Sequence, residues 1–150
     1  MQQLTAKNLK QLLDDPEYHS PSIDGVLYDR NTIRPSVVHF GVGNFHRCHQ
    51  AVYMDKLHRR GSDEWGIIGI SMRSTNTRDA LKPQDFLYTE VTLGEEVSFR
   101  IIGSILDILV APQDPGAVVK LVAERSTKLV TTTITEKGYY LSSGNIDYSH

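Results

Sequence analysis

The hydrophobic and polar residues of this chain follow two different periods, and the changes of period mark its strands and helices. Short β-branched runs predict buried strands at 37–40, 65–71 and 129–135. The amphipathic segment after the first run predicts a helix whose apolar face holds Phe45, Cys48, Val52 and Leu57. Strand, helix and strand in this order predict a βαβ unit with parallel strands.

A period of two follows in the segment 87–93, where Leu87, Thr89, Val91 and Leu93 alternate with more polar neighbours. Gly94-Glu95 then turns the chain into residues 97–101, which predicts a β-hairpin with one solvent-facing side. Farther along, Asp114-Pro115 is a helix cap followed by proline at the first helical position. The helix that starts there is predicted to cover the sheet with Ala117, Val118, Leu121 and Val122.

The first 34 residues differ from the rest of the chain. Leucines predict a short helix that ends before Pro16, and the segment 16–35 has the composition of a linker. We therefore expect an N-terminal helix and linker at 1–34 and a separate domain at 35–150. The predicted fold class is α/β, a partial Rossmann-like, doubly wound parallel sheet with an inserted β-hairpin. Because a second βαβ half is lacking, we expect a chain that is cut short and self-associates through its open sheet edge.

The strand at 37–40 leads into Gly41-Val42-Gly43 and then directly into the amphipathic helix. Glycine at 41 permits a tight strand-to-helix turn, and glycine at 43 lets a phosphate approach the backbone and the helix N-terminus. His46 stands at the third position of the Gly-x-Gly-x-x-Gly fingerprint, so the helix either stays farther from the sheet or turns this side chain outward. The motif indicates a dinucleotide site, with an ordinary βα turn as the other interpretation.

Composition narrows the classes of function. The chain has 150 residues, of which 39% are hydrophobic, and a net charge of -2, which leaves no basic surface for nucleic acid. No apolar stretch is long enough to span a bilayer and the first residues lack a signal-peptide core, so we expect a cytoplasmic protein without a membrane partner. The single cysteine, Cys48, excludes an internal disulfide and is interpreted as a small packing residue.

A metal site is a further class to consider, because His46, Cys48 and His49 lie close together in the sequence. Neighbouring positions of a helix do not face one point, and no carboxylate or further Cys/His pair completes a ligand set. The sequence therefore predicts no metal site.

Four separated motifs resemble the N-terminal region of the mannitol dehydrogenase family, the polyol-specific long-chain dehydrogenases. The longest lies within 38–57 and contains Gly41-Val42-Gly43-Asn44-Phe45-His46-Arg47 and His49-Gln50-Ala51-Val52-Tyr53. The others are Tyr28-Asp29-Arg30, Trp65-Gly66-Ile67 and Thr133-Ile134-Thr135-Glu136-Lys137-Gly138-Tyr139. Their order and spacing match the family over residues 28–140.

This resemblance implies a Rossmann-like domain that binds NAD, with NADP not excluded, followed by a mostly helical C-terminal domain. The resemblance also implies an oxidoreductase that uses no metal. Enzymes of this family interconvert a sugar alcohol or sugar acid with its 2-keto sugar, for example mannitol with fructose or mannonate with fructuronate. The partner is thus a small polyol or hexuronate. The family's lysine base and its asparagine and histidine partners belong to the C-terminal half, so this chain alone is expected to be inactive. A non-catalytic dinucleotide-binding module is the alternative.

The glycine motif and the resemblance together give a candidate site. Its cofactor-binding residues are Val38, Phe40, Gly41, Val42, Gly43, Asn44, Phe45, His46, Arg47, Arg73, Glu136 and Lys137. Arg47 is expected either at a diphosphate or in solvent. Arg73 follows the second strand, where NAD enzymes place an acid, and it either stacks on adenine, accepts a 2'-phosphate or faces water. The family position of Glu136 and Lys137 implies that they lie near the nicotinamide. Because Glu136 follows the carboxyl end of a strand, we expect it to help relay protons, with a surface ion pair to Lys137 as the competing account.

Overall fold

The computed structural model describes residues 4–15, 23–26 and 28–134, together with the backbone of 141–142 and 145–146. Its helices are α1 (Leu9–Asp14), α2 (Asn44–Cys48), α3 (Gln50–Arg59), α4 (Asn76–Leu81) and α5 (Pro115–Ala123). Its strands are β1 (Ile23–Asp24), β2 (Pro35–Phe40), β3 (Gly66–Ser71), β4 (Tyr88–Thr92), β5 (Ser98–Ile102), β6 (Ile105–Val110), β7 (Leu129–Thr132), β8 (Leu141–Ser142) and β9 (Asn145–Ile146).

Four parallel strands form the main sheet, in the order β6-β3-β2-β7. Successive side chains of a strand point to opposite faces, so Val37 and Val38 of β2 enter two different cores. Val52 of α3 packs in the first of these cores, and Val118 of α5 packs in the second. Helices therefore cover both faces, and the α/β fold with a doubly wound parallel sheet is confirmed.

A second sheet has the order β1-β5-β4. β4 and β5 form the predicted antiparallel hairpin, in which Tyr88 pairs with Ile102. β1 pairs in parallel with β5, so the segment with the composition of a linker contributes a strand. Leu9 of α1, Leu87 and Ile101 make a small core with this sheet. The N-terminal residues thus pack against the hairpin.

β6 and α4 are two further elements that the hydrophobic pattern does not predict. β6 begins three residues after β5 ends, so the apolar residues of the two strands read as one run and the boundary is hidden. Ile105 and Ile108 of β6 are buried in the main core, which makes this strand an integral part of the sheet. α4 carries no apolar stripe, and its one buried residue is Leu81.

The predicted apolar face of the helix after β2 is wrong for three of its four residues, and only Val52 is buried. The helix breaks at His49, whose φ of -128° and ψ of -85° separate α2 from α3. Phe45, Cys48 and Leu57 are exposed, and Cys48 is therefore a surface thiol rather than a packing residue. The break turns toward the core a set of residues that apolar periodicity does not select: His46, Ala51, Asp55 and His58.

The predicted buried side of the hairpin is also wrong beyond its base. Leu87 is buried, but Thr89, Val91 and Leu93 are exposed. Tyr88 is instead partly buried, and its hydroxyl donates a hydrogen bond to the Arg47 carbonyl at 2.7 Å. Residues 91–98 are all exposed, so the hairpin tip projects from the core and neither of its sides is covered by described residues.

A buried carboxylate joins three segments of the fold. Asp55 of α3 accepts hydrogen bonds from the Tyr28 hydroxyl at 2.6 Å, the Gly103 N–H at 3.0 Å and Arg59 Nε at 2.6 Å. Arg59 also pairs with Asp24 of β1 at 2.7 Å. Burial, and next the Asp55 charge, raise the pKa of Tyr28, so its hydroxyl keeps the proton that it donates. Asp55 therefore fixes α3 to both the N-terminal segment and the β5–β6 connection.

Three histidines are buried in an uncharged state. Burial lowers the pKa values of His39 and His58, and it lowers the pKa of His46 to about 3. The imidazole of an unfolded chain has a pKa of about 6.5. Unfolding below that pH therefore takes up protons, so acid favours the unfolded state.

We expect Asp55→Asn to lower the free energy of unfolding by about 3 kcal/mol, because it leaves the Arg59 guanidinium beside a neutral amide in the interior. Urea denaturation measures this loss. Asp63→Asn is the matched control, since Asp63 pairs with Arg34 at 3.0 Å while both side chains are exposed. Its loss should stay below about 1 kcal/mol. Equal losses in the two variants would contradict the central position of Asp55.

We also expect the stability of the fold to decrease as the pH falls from about 7 to about 4, by up to about 1.4 kcal/mol per pH unit for each buried histidine. His46→Asn should reduce this slope, because one proton fewer is taken up on unfolding. The slope follows from urea denaturation at several pH values. His49→Asn is the control for the loss of an imidazole, because it removes a histidine that is exposed. A slope that does not change in His46→Asn would show that His46 is not kept neutral.

Candidate functional site

The turn from β2 to α2 depends on two glycines. Gly41 has a φ of +94°, which disfavours any residue with a side chain, and Gly43 is the N-cap of α2. The Gly41 N–H donates to the Ile70 carbonyl of β3 at 2.9 Å, and the Gly43 N–H donates to the Gly41 carbonyl at 2.7 Å. No side-chain hydrogen bond from the described residues caps α2 at Gly43. The turn thus presents bare main chain at the carboxyl edge of a parallel sheet, which is where ligands of such sheets bind.

A cleft of about 480 Å³ opens over this turn. The glycine turn, the residues after β3 and the end of β7 line it: Gly41, Val42, Gly43, Asn44, Phe45, Ser71, Met72, Arg73, Ser74, Thr77 and Thr133. A Cβ added to Gly43 would have the Gly41 carbonyl oxygen as its nearest neighbour, at 3.9 Å. The space that a side chain would fill is therefore open, as the close approach of a pyrophosphate requires.

Only part of the proposed cofactor-binding set lines this cleft. Val38 and Phe40 lie in the strand beneath it and pack against Ile70 and Val118. His46 and Arg47 lie in α2, beside the turn. Glu136 and Lys137 fall outside the residues that the structure describes. The cleft brings together the remaining members, Gly41, Val42, Gly43, Asn44, Phe45 and Arg73.

Arg47 folds back onto the turn. Its guanidinium donates hydrogen bonds to the Val42 carbonyl at 3.0 Å and to the side-chain oxygen of Asn44. Its own carbonyl accepts the Tyr88 hydroxyl from β4. Arg47 therefore braces the turn against the hairpin, while its contact with a diphosphate stays a prediction.

Arg73 is the one charged residue among the described residues that line the cleft. It is exposed, and it makes no hydrogen bond or ion pair with another residue of the described ranges. Its neighbours Ser71, Met72 and Ser74 also line the cleft and carry no carboxylate. β3 thus ends without the acid that usually binds the adenosine ribose of NAD.

His46 is turned inward. Its side chain is only 1% exposed, and its ring stacks on that of His39 in β2, with 3.5 Å between the centroids and 11° between the planes. Of the two orientations expected from the sequence, the outward one is therefore wrong. The imidazole pair fills the space that the third fingerprint glycine would leave for close helix–strand packing.

The two rings belong to a hydrogen-bonded set that we call the histidine network: His39, His46, Gln50, Thr131 and Thr133. His46 Nδ1 and Thr131 Oγ1 both contact Gln50 Oε1, at 3.1 Å and 3.2 Å. His39 contacts Thr131 Oγ1 through Nδ1 at 2.8 Å and Thr133 Oγ1 through Nε2 at 3.0 Å. The network thus connects β2, both helices after it and the end of β7.

Sequence reasoning missed His39 and Gln50. A signal for each was present, because His39 interrupts a buried apolar strand and a buried polar group needs a partner. Gln50 follows His46 by four residues, the spacing that places two side chains on one helix face. Their partners Thr131 and Thr133 lie more than 80 positions farther along the chain, and Thr131 is 92 positions from His39, so only the folded sheet brings the set together.

A second cavity, of about 470 Å³, adjoins the cleft and shares Phe45 and Thr133 with it. Side chains that form hydrogen bonds make up most of its lining: His39, His46, His49, Gln50, Tyr53, Thr131 and Thr132. Such side chains both donate and accept hydrogen bonds. The two cavities extend the accessible surface from the end of β3 past the end of β7.

Two other kinds of site are absent from the described ranges. Within these ranges no three His, Cys, Asp or Glu side chains are grouped so that they could hold a metal ion. None of the helices in the same ranges combines the length and the apolar character needed to cross a membrane.

Known proteins are similar to this chain in both sequence and fold. A mannitol 2-dehydrogenase of Pyrenophora tritici-repentis is 38% identical over 93% of the chain and 24% of its own length. A polyol:NADP oxidoreductase of Gluconobacter oxydans is 39% identical over 77% of the chain and 25% of its own length. The solved Pseudomonas fluorescens mannitol 2-dehydrogenase, a ternary complex with NAD and D-mannitol, matches with a TM-score of 0.83 and 36% identity over 97% of the chain and 29% of that structure.

The chain spans about a quarter of the length of the curated relatives that it matches. The mannitol dehydrogenase Rossmann domain matches residues 35–146, which contain the glycine turn, the cleft and the histidine network. The family resemblance drawn from four motifs is thereby confirmed, and the chain belongs to the mannitol dehydrogenase family.

Proposed function

We propose that this chain is the NAD(H)-binding part of a dehydrogenase that interconverts a sugar alcohol or a sugar acid with its 2-keto sugar. The open space in front of Gly43, at the carboxyl edge of the parallel sheet, is the observation that carries this proposal. The Pseudomonas fluorescens relative, a complex with NAD and D-mannitol, supports the sugar-alcohol reaction. Mannonate and fructuronate are the corresponding sugar-acid pair.

The described residues would hold the coenzyme by its diphosphate and its adenosine end. Gly41 and Gly43 would let the diphosphate approach the main chain. Arg47 stabilises the turn through its hydrogen bond to the Val42 carbonyl. Arg73 and Ser74 lie where the adenosine ribose is expected to bind. The nicotinamide ring supplies hydride transfer when the coenzyme is bound. Turnover is proposed for the whole protein, and a proton relay by Glu136 is part of that proposal.

Calorimetric titration of the purified protein with NADH tests the proposal directly. We expect saturable binding of one coenzyme per chain, together with mannitol oxidation by the whole protein in the presence of NAD. Binding without turnover of mannitol or mannonate would favour the non-catalytic dinucleotide-binding module instead. Absence of binding at about millimolar coenzyme, equivalent to less than about 4 kcal/mol of binding free energy, would overturn the proposal.

We expect Gly43→Ala to weaken NADH binding by about tenfold or more, or at least about 1.4 kcal/mol, while the fold keeps its stability. The added methyl group enters the cleft without a close neighbour, and the φ of -86° at residue 43 suits alanine. Calorimetry gives the dissociation constant and urea denaturation the stability. Gly94→Ala is the control, since Gly94 lies in the exposed hairpin and outside the cleft. Equal NADH affinities in the two variants would show that the turn does not contact the coenzyme.

Arg73 should let the cleft bind NADP as well as NAD, because its guanidinium can pair with the 2'-phosphate of NADP. The Gluconobacter oxydans relative, a polyol:NADP oxidoreductase, supports this expectation. We expect Arg73→Ala to weaken NADPH binding by about tenfold to a hundredfold, because a charge-assisted hydrogen bond contributes about 1.5–3 kcal/mol. NADH binding should change by less than about threefold.

Arg78→Ala is the control for this measurement, because Arg78 is engaged by Asp79 at 2.8 Å and by Gln113 at 2.6 Å and does not line the cleft. It should leave both dissociation constants unchanged. Equal losses of NADH and NADPH affinity in Arg73→Ala would show that Arg73 does not read the 2'-phosphate.

A further inference from the structure

The histidine network adjoins the cleft, and its hydrogen bonds converge on the Gln50 side-chain oxygen. The Gln50 amide oxygen only accepts, so His46 Nδ1 and Thr131 Oγ1 must both donate to it. The single hydroxyl hydrogen of Thr131 is then used, so Thr131 Oγ1 accepts from His39 Nδ1–H. His39 Nε2 is left as an acceptor for the Thr133 hydroxyl. Because burial lowers the pKa values of both imidazoles, both rings are neutral and carry their single hydrogen on Nδ1.

The network ends at a residue of the cleft wall. Thr133 lines the cleft, and a Cβ on Gly41 would meet the Thr133 carbonyl oxygen at 3.6 Å and the Thr133 Cβ at 3.9 Å. The Thr133 N–H also donates to the Phe40 carbonyl at 3.1 Å, directly before the turn. A shift of the network thus moves one wall of the cleft relative to the glycine turn.

His46 also sets the distance between α2 and β2. The usual fingerprint has a glycine at this position, which allows helix and strand to touch. Here the stacked ring of His39 separates them, and the ring centroids are 3.5 Å apart. The position of α2, and with it that of Gly43 and Asn44, therefore depends on how the two rings are held. Their orientation is fixed by Gln50 and Thr131.

We propose that His46 and His39 are positioning residues for coenzyme binding, which replace the third fingerprint glycine by a stacked neutral pair and, through Gln50 and Thr131, set Thr133 against the glycine turn. This inference rests on the proposed binding of NAD(H). The two histidines act on the cleft through α2 and β7, without a contact to the coenzyme being required.

Two substitutions perturb the network without adding a group to the cleft. His46→Leu introduces an apolar side chain of similar bulk and removes the Nδ1 donor. Thr131→Val keeps the shape of the side chain but breaks the link between His39 and Gln50, and Thr131 does not line the cleft. His46→Asn is the conservative variant, because its side-chain amide offers a donor close to the position of Nδ1.

His58 provides a matched control in the last turn of α3. It is buried to a similar degree, its Nδ1–H donates to the Ser62 carbonyl at 3.1 Å, and its Nε2, like that of His46, has no partner among the described residues. His58 does not line the cleft or the adjoining cavity. His58→Leu thus reproduces the loss of a buried neutral imidazole at a site away from the proposed coenzyme.

The test compares the dissociation constant of NADH, by calorimetry, with the free energy of unfolding for each variant. We expect His46→Leu and Thr131→Val to raise the dissociation constant by about tenfold, His46→Asn by less than about threefold, and His58→Leu by less than about twofold. His58→Leu should lose about as much stability as His46→Leu. If His46→Leu does not fold, the NADH dissociation constant of Thr131→Val decides the test.

Two outcomes overturn the inference, and they are distinguishable. If the unsubstituted protein binds NADH and the folded His46→Leu and Thr131→Val variants bind it equally well, the network is merely structural and only this inference fails. If the unsubstituted protein binds neither NADH nor NADPH, the proposed function fails and the inference fails with it.

Discussion

The buried carboxylate of Asp55 fixes α3 relative to the N-terminal segment and the β5–β6 connection. A charge that is removed from water must be surrounded by donors, and Asp55 takes its donors from the N-terminal segment, from its own helix and from the β5–β6 connection. The donors lie up to 48 positions from Asp55 in the sequence. Because α3 carries Asp55 and follows α2 after a single residue, this requirement also restricts where the glycine turn can lie.

The sequence predicted those parts of the fold that local pattern determines. β2, β3, β7, the hairpin and α5 each have a period or a cap that depends on neighbouring residues alone, and all five are present. β1 could not be predicted, because two residues become a strand only when β5 lies beside them. The helix face after β2 was wrong for a related reason: His46, Asp55 and His58 are buried by partners that lie elsewhere in the chain or in the loop after α3.

The candidate site likewise has one part that the sequence predicted and one part that it did not. The glycine turn was visible in the sequence because the chemistry of a diphosphate demands a particular residue type at a particular place. The network behind it was not visible, since threonines at the end of β7 become partners of His39 only after the parallel sheet has formed. Its uncharged state has the same origin: burial lowers the pKa values of both imidazoles, so polar groups are kept in the interior without a net charge.

The stacking of His39 on His46 joins two positions of the chain into one packing unit. The pair occupies a single space between a strand and a helix, and its two rings lie 11° from parallel. A larger or smaller side chain at either position leaves an overlap or a gap that the other must absorb. We therefore expect the residues tolerated at positions 39 and 46 to depend on each other, and a glycine at 46 would be accommodated most easily with a different residue at 39.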